Sequence, residues 1–514
     1  MVLALLLIFT ISLPTFADNN HWLDEITPSS HLELNLPILK ALYRDQHYLW
    51  LNKNQLGSHA HDALDFIAAA TQHGLRRDDY HWTELQKLNP SINTETAQLF
   101  DLVLSDGLLK LIDHLQHGTL HAKSADSSWF IEQPKFNNLE FLQQAILQPH
   151  LKSELNKVVP NSEQYRLLSE ALTRYQRYVD RGGWSKIPDT PLLKPGDTHP
   201  NVALIQQRLA FEDEHLTLTQ SLSTDVYAPL LEQAVKRFQK KYNLQVDGII
   251  GSETRREMNV SVTERLKQIK VALERHRWLP KNLGERYVLV NLANYSLTAV
   301  KQGQEKLEMP VIVGQTTRQT PSFSSDIDRL VFNPYWNVPR KLARLDLLPK
   351  QKKDLNYFYQ HDIRVFSTEN GQRIEHDPYS IDWHAMDKRH FPYTLRQDPG
   401  EHNVLGKLKF MFHNQWNIYL HDTPHKELFS EVNRSFSSGC IRVQDPIALA
   451  NFTLDKSDSD RTVLDTIASN QNRGQKLAQP LKIYVVYITA SVIEGELYFS
   501  PDIYHRDKQI ASML

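Results

Sequence analysis

The stretch Ile418-Tyr419-Leu420-His421-Asp422-Thr423-Pro424, with the Ser437-Ser438-Gly439-Cys440-Ile441-Arg442-Val443 that follows it, decides how this chain is read. The first piece is an apolar run that suits a strand and ends at a histidine; the second is a Ser-Gly turn that holds a cysteine. A thiol is a useful nucleophile only as thiolate, and its ordinary pKa of about 8.5 leaves little thiolate at neutral pH. A nearby histidine can take the proton, and a nearby arginine favours the anion. Gly439, lacking a Cβ, lets the backbone come close to a ligand, and a main-chain N–H in such a turn can hold a developing oxyanion. His421 and Cys440 both fall at element edges where side chains can meet, although their sequence spacing alone does not establish contact.

Outward from this segment, Cys440 is the single cysteine of 514 residues. It forms no internal disulfide and has no neighbour in the chain to mis-pair with, which suits a thiol that must stay reduced in an oxidising compartment. By itself a lone cysteine reads as a small buried apolar residue; the sequence around it reverses that reading. Residues 1–14 are almost wholly apolar and are followed by Thr15-Phe16-Ala17, the pattern of a secretory signal over 1–17, though no Lys or Arg precedes the apolar run. The run is shorter than the about 20 residues that span a bilayer. Acids and bases nearly balance, 60 against 58, for a net charge of -2, so no nucleic-acid-binding face is expected.

A chain of this length exceeds one hydrophobic core. Residues 18–188 read as a helical scaffold, clearest where Leu104, Leu108, Leu111 and Leu115 form one stripe. Gly182, Gly183, Pro188, Pro191 and Pro195 mark a linker. A compact unit over 189–262 follows, with a helix carrying Val202, Ile205 and Leu209, and another carrying Leu231, Val235, Phe238 and Tyr242. It closes on Asp247-Gly248-Ile249-Ile250-Gly251-Ser252-Glu253-Thr254, where Ser252 suits the cap of a short last helix. From 263 to 507 the period changes: a helix to Trp278 leads into strands at 287–292, 297–300, 309–313, 330–332, 407–412, 417–420 and 482–489. Residues 340–402, rich in Tyr, His, Arg and Lys and without clean alternation, interrupt this domain and suit a lid. The fold class expected is a multidomain α+β protein.

The motif His421-Asp422-Thr423-Pro424 with Ser437-Ser438-Gly439-Cys440-Ile441-Arg442-Val443 resembles the signature of L,D-transpeptidases with a YkuD-type catalytic domain. Val313-Gly314 before Thr320-Pro321, the run Asn333-Pro334-Tyr335-Trp336-Asn337-Val338-Pro339, and 499–504 are similar to the large periplasmic YcbB-like branch. The unit at 189–262 resembles the three-helix peptidoglycan-binding module. The resemblance implies Cys440 as nucleophile and His421 as general base, oriented by the Asp422 carbonyl. It implies an oxyanion hole from the N–H groups of Gly439 and Cys440, and substrate contacts at Tyr419, Trp336, Ser438 and Arg442. It further implies 3→3 cross-linking of peptidoglycan through a thioester formed with stem tetrapeptides, with stem peptides and glycan as partners. A periplasmic location, a role in cell-wall organisation and shape, and inactivation by carbapenems go with it. No cofactor, metal, nucleic acid or lasting membrane span is expected.

Other readings stand beside these. His402, His413, His421 and His425 with one cysteine do not give the regular spacing of a structural zinc site. Trp336 also reads as core, Arg442 as half of an ion pair, and His425 as a solvated loop residue. A non-catalytic peptidoglycan-binding scaffold and an L,D-carboxypeptidase using water as acceptor are the functional alternatives. A sortase-like enzyme fits less well, because Arg442 lies only two residues from Cys440.

Overall fold

The computed structural model describes residues 32–44, 48–133, 135–213, 215–216, 225–455 and 459–514. The expected signal peptide at 1–17 lies outside the described residues. The chain divides into two compact units, residues 1–120 with 134–173, and residues 121–133 with 174–514.

The first unit is helical, with α1 (Leu36–Leu42), α2 (Ser58–Ala68), α3 (Thr94–His117), α4 (Asn138–Ile146) and α5 (Leu151–Asn156). Asn93 caps α3 by accepting from the Thr96 N–H at 2.7 Å, satisfying one of the free donors of a helix start. The stripe of Leu104, Leu108, Leu111 and Leu115 is fully buried, and so are Leu102, Val103 and Ile112 on other faces, making α3 a central helix rather than an amphipathic surface one. Its buried polar residues are satisfied: Asp101 accepts from the Tyr43 hydroxyl and from the N–H groups of Leu49 and Trp50.

In the second unit, α6 (Val202–Ala210), α7 (Pro229–Lys241) and α8 (Ser252–Met258) form a three-helix module. Its apolar residues expected to face inward, Val202, Ile205, Leu209, Leu231, Val235, Phe238 and Tyr242, are all buried. Gln239 organises the turn before α8. Its amide donates to Asp247 and to the Ile249 carbonyl, and its oxygen accepts from the N–H groups of Asp247 and Gly248. Gly248, at φ +73°, takes a left-handed conformation that a side chain would strain. Ser252 is not the cap expected of it: Gly251 occupies the cap position and Ser252 is the first helical residue.

Helix α9 (Val262–Arg277), capped by Ser261, leads into the sheet domain. The main sheet is built from β1 (Trp129–Phe130), β2 (Arg286–Asn291), β3 (Ser296–Lys301), β4 (Gln304–Gly314) and β5 (Ser322–Phe332). A second, four-stranded sheet holds β6 (Trp336–Asn337), β7 (Ile363–Glu369), β8 (Gln372–His376) and β9 (Thr394–Gln397). The main sheet resumes with β10 (Leu408–Phe412), β11 (Leu420–His421), β12 (Ser435–Ser437), β13 (Ile441–Val443) and β14 (Arg473–Val486). Its order is β10-β11-β13-β4-β3-β2-β14-β5-β1, with β12 beside β4. Strand β10 also pairs with β5, so the sheet closes on itself. Closure removes most exposed edges and encloses a core that includes Val288, Leu297, Val311, Ile327, Phe410, Leu420, Ile441 and Ile483.

Two features depart from the expected organisation. The 340–402 insertion is itself folded: β6 to β9 carry a second core of Trp336, Leu347, Phe358, Val365, Trp383 and Leu395. Its strands are short, and their apolar positions are set among Tyr, His and Arg, which hid the alternation. Residues 121–133, within the stretch expected as scaffold, belong to the second unit. Trp129 pairs in parallel with Ser322 of β5, and its fully buried indole meets Trp278 edge-on at 5.3 Å. Truncating a buried Trp costs about 3–5 kcal/mol. Trp129→Ala should therefore lower the denaturation midpoint of the second unit clearly, and a midpoint equal to the parent's would show that this strand is dispensable to the sheet domain.

Candidate active site

The site is laid out by the pairing of β11 with β13. The two strands run parallel, with Leu420 opposite Ile441 and His421 opposite Arg442. Leu420, Ile441 and Val443 point into the closed sheet's core. Because side chains alternate along a strand, the residues flanking them, Tyr419 and His421 on one side and Cys440 and Arg442 on the other, share the opposite face. On the other flank β10 places Lys409 opposite His421, while its neighbour Phe410 faces the core with Leu420. The Lys409 ammonium lies 3.6 Å from the centroid of the Tyr419 ring, and the rings of Tyr419 and His421 meet edge-on at 5.6 Å.

His421 is buried, and its Nδ1 lies 2.5 Å from the Asp422 carbonyl. A carbonyl can only accept, so Nδ1 carries the proton and Nε2 is left as the basic nitrogen. Burial, reinforced by the positive charges of Arg442 and Lys409, pushes the imidazole pKa down to about 3. It therefore rests neutral. The Asp422 carboxylate is not part of this contact: it accepts from Lys426 at 2.7 Å and from the Lys407 N–H at 2.8 Å, which fixes the strand end where the carbonyl must sit.

The thiol is raised above its ordinary value by burial, with hydrogen bonds from Tyr419 and the charges of Lys409 and Arg442 acting in the opposite direction. Among the described residues no hydrogen bond joins it to the imidazole; Cys440 Sγ instead contacts the Asn417 carbonyl at 3.9 Å. At rest the thiol and the imidazole are thus both neutral rather than a preformed ion pair. Arg442 is largely buried, and its Nε has no hydrogen-bond partner among the described residues. Its charge acts on both the thiol and the imidazole.

The turn before the thiol is held from several sides. Gly439, at φ +118°, needs to be glycine. Its carbonyl accepts from Thr320 Oγ1 at 2.9 Å, and that same oxygen accepts from the Gly314 N–H at 3.0 Å. Ser437 Oγ donates to the Cys440 carbonyl and accepts from the Gly439 N–H at 3.0 Å. One expectation changes here: the Gly439 N–H is already occupied, because the left-handed turn folds it back onto Ser437. The Cys440 N–H has no partner among the described residues. Ser438 Oγ accepts from Arg318 at 2.9 Å. Trp336 is a core residue of the inserted sheet, 9% exposed, and Tyr419 packs against that core.

Sequence reasoning missed Lys409 and Arg318. The alternation of Leu408, Phe410 and Phe412 marks Lys409 as facing away from the core, but nothing local says that β10 lies beside β11. Arg318 carries no sequence signal of its own. No group of three or more His, Cys, Asp or Glu among the described residues is placed to hold a metal ion, and no helix among them is long and apolar enough to cross a membrane.

Residues 285–464, which hold β11, β13 and the loops that fix them, match the L,D-transpeptidase catalytic domain. That segment belongs to the YkuD-type L,D-transpeptidase family. Residues 37–172 match a scaffold domain, and residues 198–258 match a "Putative peptidoglycan binding domain". A relative from Haemophilus influenzae named "Putative L,D-transpeptidase" is 38% identical over 224 residues, 43% of this chain and 45% of that protein. The match thus spans under half of either chain. Crystal structures of L,D-transpeptidases from Xylanimonas cellulosilytica and Stackebrandtia nassauensis also match. They are 14% and 13% identical, cover 58% and 59% of this chain and 98% and 96% of their own, and have TM-scores of 0.19 and 0.23. Overlaps this weak carry no weight for function.

Two consequences of the electrostatics of this transpeptidase domain can be measured. Burial holds His421 down to about 3 and His276 down to about 4, against an ordinary 6.5. Between those values the unfolded chain binds protons that the folded chain does not, so folding stability falls as pH drops below 6.5 and keeps falling toward the two folded-state values. Denaturant melts at stepped pH should show the midpoint declining through this window in the parent and declining less in His276→Gln. The second consequence concerns Lys409, whose charge favours the thiolate. Lys409→Met should slow alkylation of Cys440 by iodoacetamide severalfold at fixed pH, with Lys409→Arg close to the parent. Equal rates in all three proteins would remove Lys409 from the site's electrostatics.

Proposed function

We propose that this chain is an exported peptidoglycan L,D-transpeptidase that forms 3→3 cross-links through a thioester on Cys440. The observation that carries the reading is the geometry around His421. A neutral imidazole has its Nδ1 proton tied to the Asp422 carbonyl, presents Nε2 as a base, and stands on the strand next to the one that follows Cys440, whose backbone N–H has no partner among the described residues. Such an arrangement suits general-base activation at the moment of attack rather than a stored thiolate.

In the first half-reaction His421 Nε2 takes the thiol proton as Sγ bonds to the carbonyl carbon of the third residue of a donor tetrapeptide, meso-diaminopimelate. The carbonyl pair moves onto oxygen, and in this reading the Cys440 N–H donates to it. Collapse of this oxyanion breaks the C–N bond, His421 returns the proton to the departing D-Ala amine, and a thioester remains. In the second half-reaction an amine of a neighbouring stem attacks the thioester and loses its proton to His421, and the leaving thiolate is reprotonated. Water as acceptor turns the same site into an L,D-carboxypeptidase. The match of residues 198–258 to a peptidoglycan-binding domain supports a wall substrate and a location outside the cytoplasm. The periplasm is the compartment that the reading assigns.

Intact-mass spectrometry tests the reading. Parent protein mixed with a carbapenem should gain one covalent adduct, and Cys440→Ala none. With disaccharide tetrapeptides the parent should release D-Ala and yield cross-linked dimers. Release of D-Ala with tripeptide as the sole product would make it a carboxypeptidase. A folded, reduced parent that takes no adduct and leaves muropeptides unchanged would point to a wall-binding scaffold.

A further inference from the structure

The loop between β4 and β5 carries a charge that the reaction above does not use. Arg318 grips Asp346 with both ends of its guanidinium, Nη1 to Oδ2 at 2.5 Å and Nη2 to Oδ1 at 2.7 Å, and Nη1 also donates to Ser438 Oγ at 2.9 Å. Ser438 is two residues from the thiol. A forked guanidinium with a hydroxyl beside it is a well-matched receptor for a carboxylate, and here a carboxylate already occupies it. The loop side of the receptor is rigid. A Cβ at Gly314 would overlap the Arg318 carbonyl, and Thr320, two residues on, is bonded to both Gly314 and Gly439.

The carboxylate side is built differently. Asp346 comes from the insertion, on a π-helical turn (Ala343–Leu347) wedged between two short helices. Pro349, two residues past the turn, has no N–H to continue the α-helical ladder, which accounts for the irregular turn. The ion pair is also open to water, with side-chain exposures of 20% and 34% for Arg318 and Asp346. Both partners keep part of their side chains in water, so a carboxylate arriving from solution can reach the guanidinium and compete with Asp346 for the same fork.

We propose that Arg318 and Ser438 form a binding subsite for a carboxylate of the stem peptide, and that Asp346 fills this subsite in the free enzyme as an internal stand-in. Binding of the peptide carboxylate then releases Asp346, and with it the turn of the insertion that carries it, so that substrate recognition and movement of the insertion are one event. The inference rests on the transpeptidase reading for the identity of the ligand.

Noncovalent binding of a disaccharide tetrapeptide, measured by calorimetry on the Cys440→Ala protein, tests it. Adding Arg318→Ala should weaken binding at least tenfold, with Arg318→Lys between it and the parent. Adding Asp346→Asn should have the opposite sign and tighten binding severalfold, because the internal competitor is gone. In a panel of peptides with each carboxylate amidated singly, one member should bind the parent about tenfold more weakly, and Arg318→Ala should no longer distinguish it from the rest. If Asp346→Asn weakens binding as Arg318→Ala does, the pair is a structural latch and the proposal fails. It fails equally if Arg318→Ala leaves the affinity unchanged, or if no single carboxylate matters. Asp346→Asn and Arg318→Lys decide the matter should Arg318→Ala melt below the assay temperature. Turnover by protein with Cys440 intact reports separately on the reaction: the binding pattern without turnover would sustain the subsite and sink the transpeptidase reading.

Discussion

The parallel pairing of β11 with β13 is the constraint on which the rest of the site depends. Once Leu420 lies opposite Ile441, the two-residue period of a strand sends those side chains into the core and brings Tyr419, His421, Cys440 and Arg442 to one outer face. A slip of one residue would bury the histidine side and expose the core side, so the apolar demand of the closed sheet also fixes the chemistry. Parallel neighbours cannot be joined by a tight hairpin. The long connection from Asp422 to Cys440 follows from this, and it supplies the Ser437–Gly439 turn that carries the thiol.

This face is positively biased. Lys409 and Arg442 flank the thiol and the imidazole, and both help hold the histidine neutral while favouring the thiolate. Holding the imidazole neutral opposes an ion pair at rest, favouring the thiolate works toward one, and the burial of both groups leaves them neutral. A neutral resting pair also leaves the thiol less reactive toward solution oxidants than a standing thiolate would be, which suits the single cysteine of a chain expected to work outside the cytoplasm.

The loops that support the turn come from far away in sequence. Thr320 holds the Gly439 carbonyl, Arg318 reaches Ser438, and Tyr504 near the end of the chain donates its hydroxyl to the Gly314 carbonyl. Arg506 adds a bond to the Thr320 carbonyl. None of these contacts touches the thiol: those of Thr320, Tyr504 and Arg506 end on backbone carbonyls, and that of Arg318 ends on the Ser438 hydroxyl. The folded insertion meets this scaffold at Arg318, where its Asp346 ends.

From sequence alone came the two pieces of the site, His421 at a strand end and Cys440 in a Ser-Gly turn, because strand and turn residues follow local backbone preferences that short segments express by themselves. The three-helix module and most strands of the sheet domain were legible for the same reason, through periodicity and glycine placement. Tertiary structure alone decided the rest. It placed Lys409 beside His421, because strand neighbours are set by the closed sheet's order and not by spacing along the chain. It drew Trp129 into the sheet domain and buried Trp336 in the insertion's own core, because an indole packs wherever the fold offers a complementary apolar surface. It turned the Gly439 N–H back onto Ser437, since which donor a turn leaves free depends on its final dihedral angles. And it brought Arg318 to Asp346, 28 residues apart, a contact that only two separately folded pieces of backbone could create.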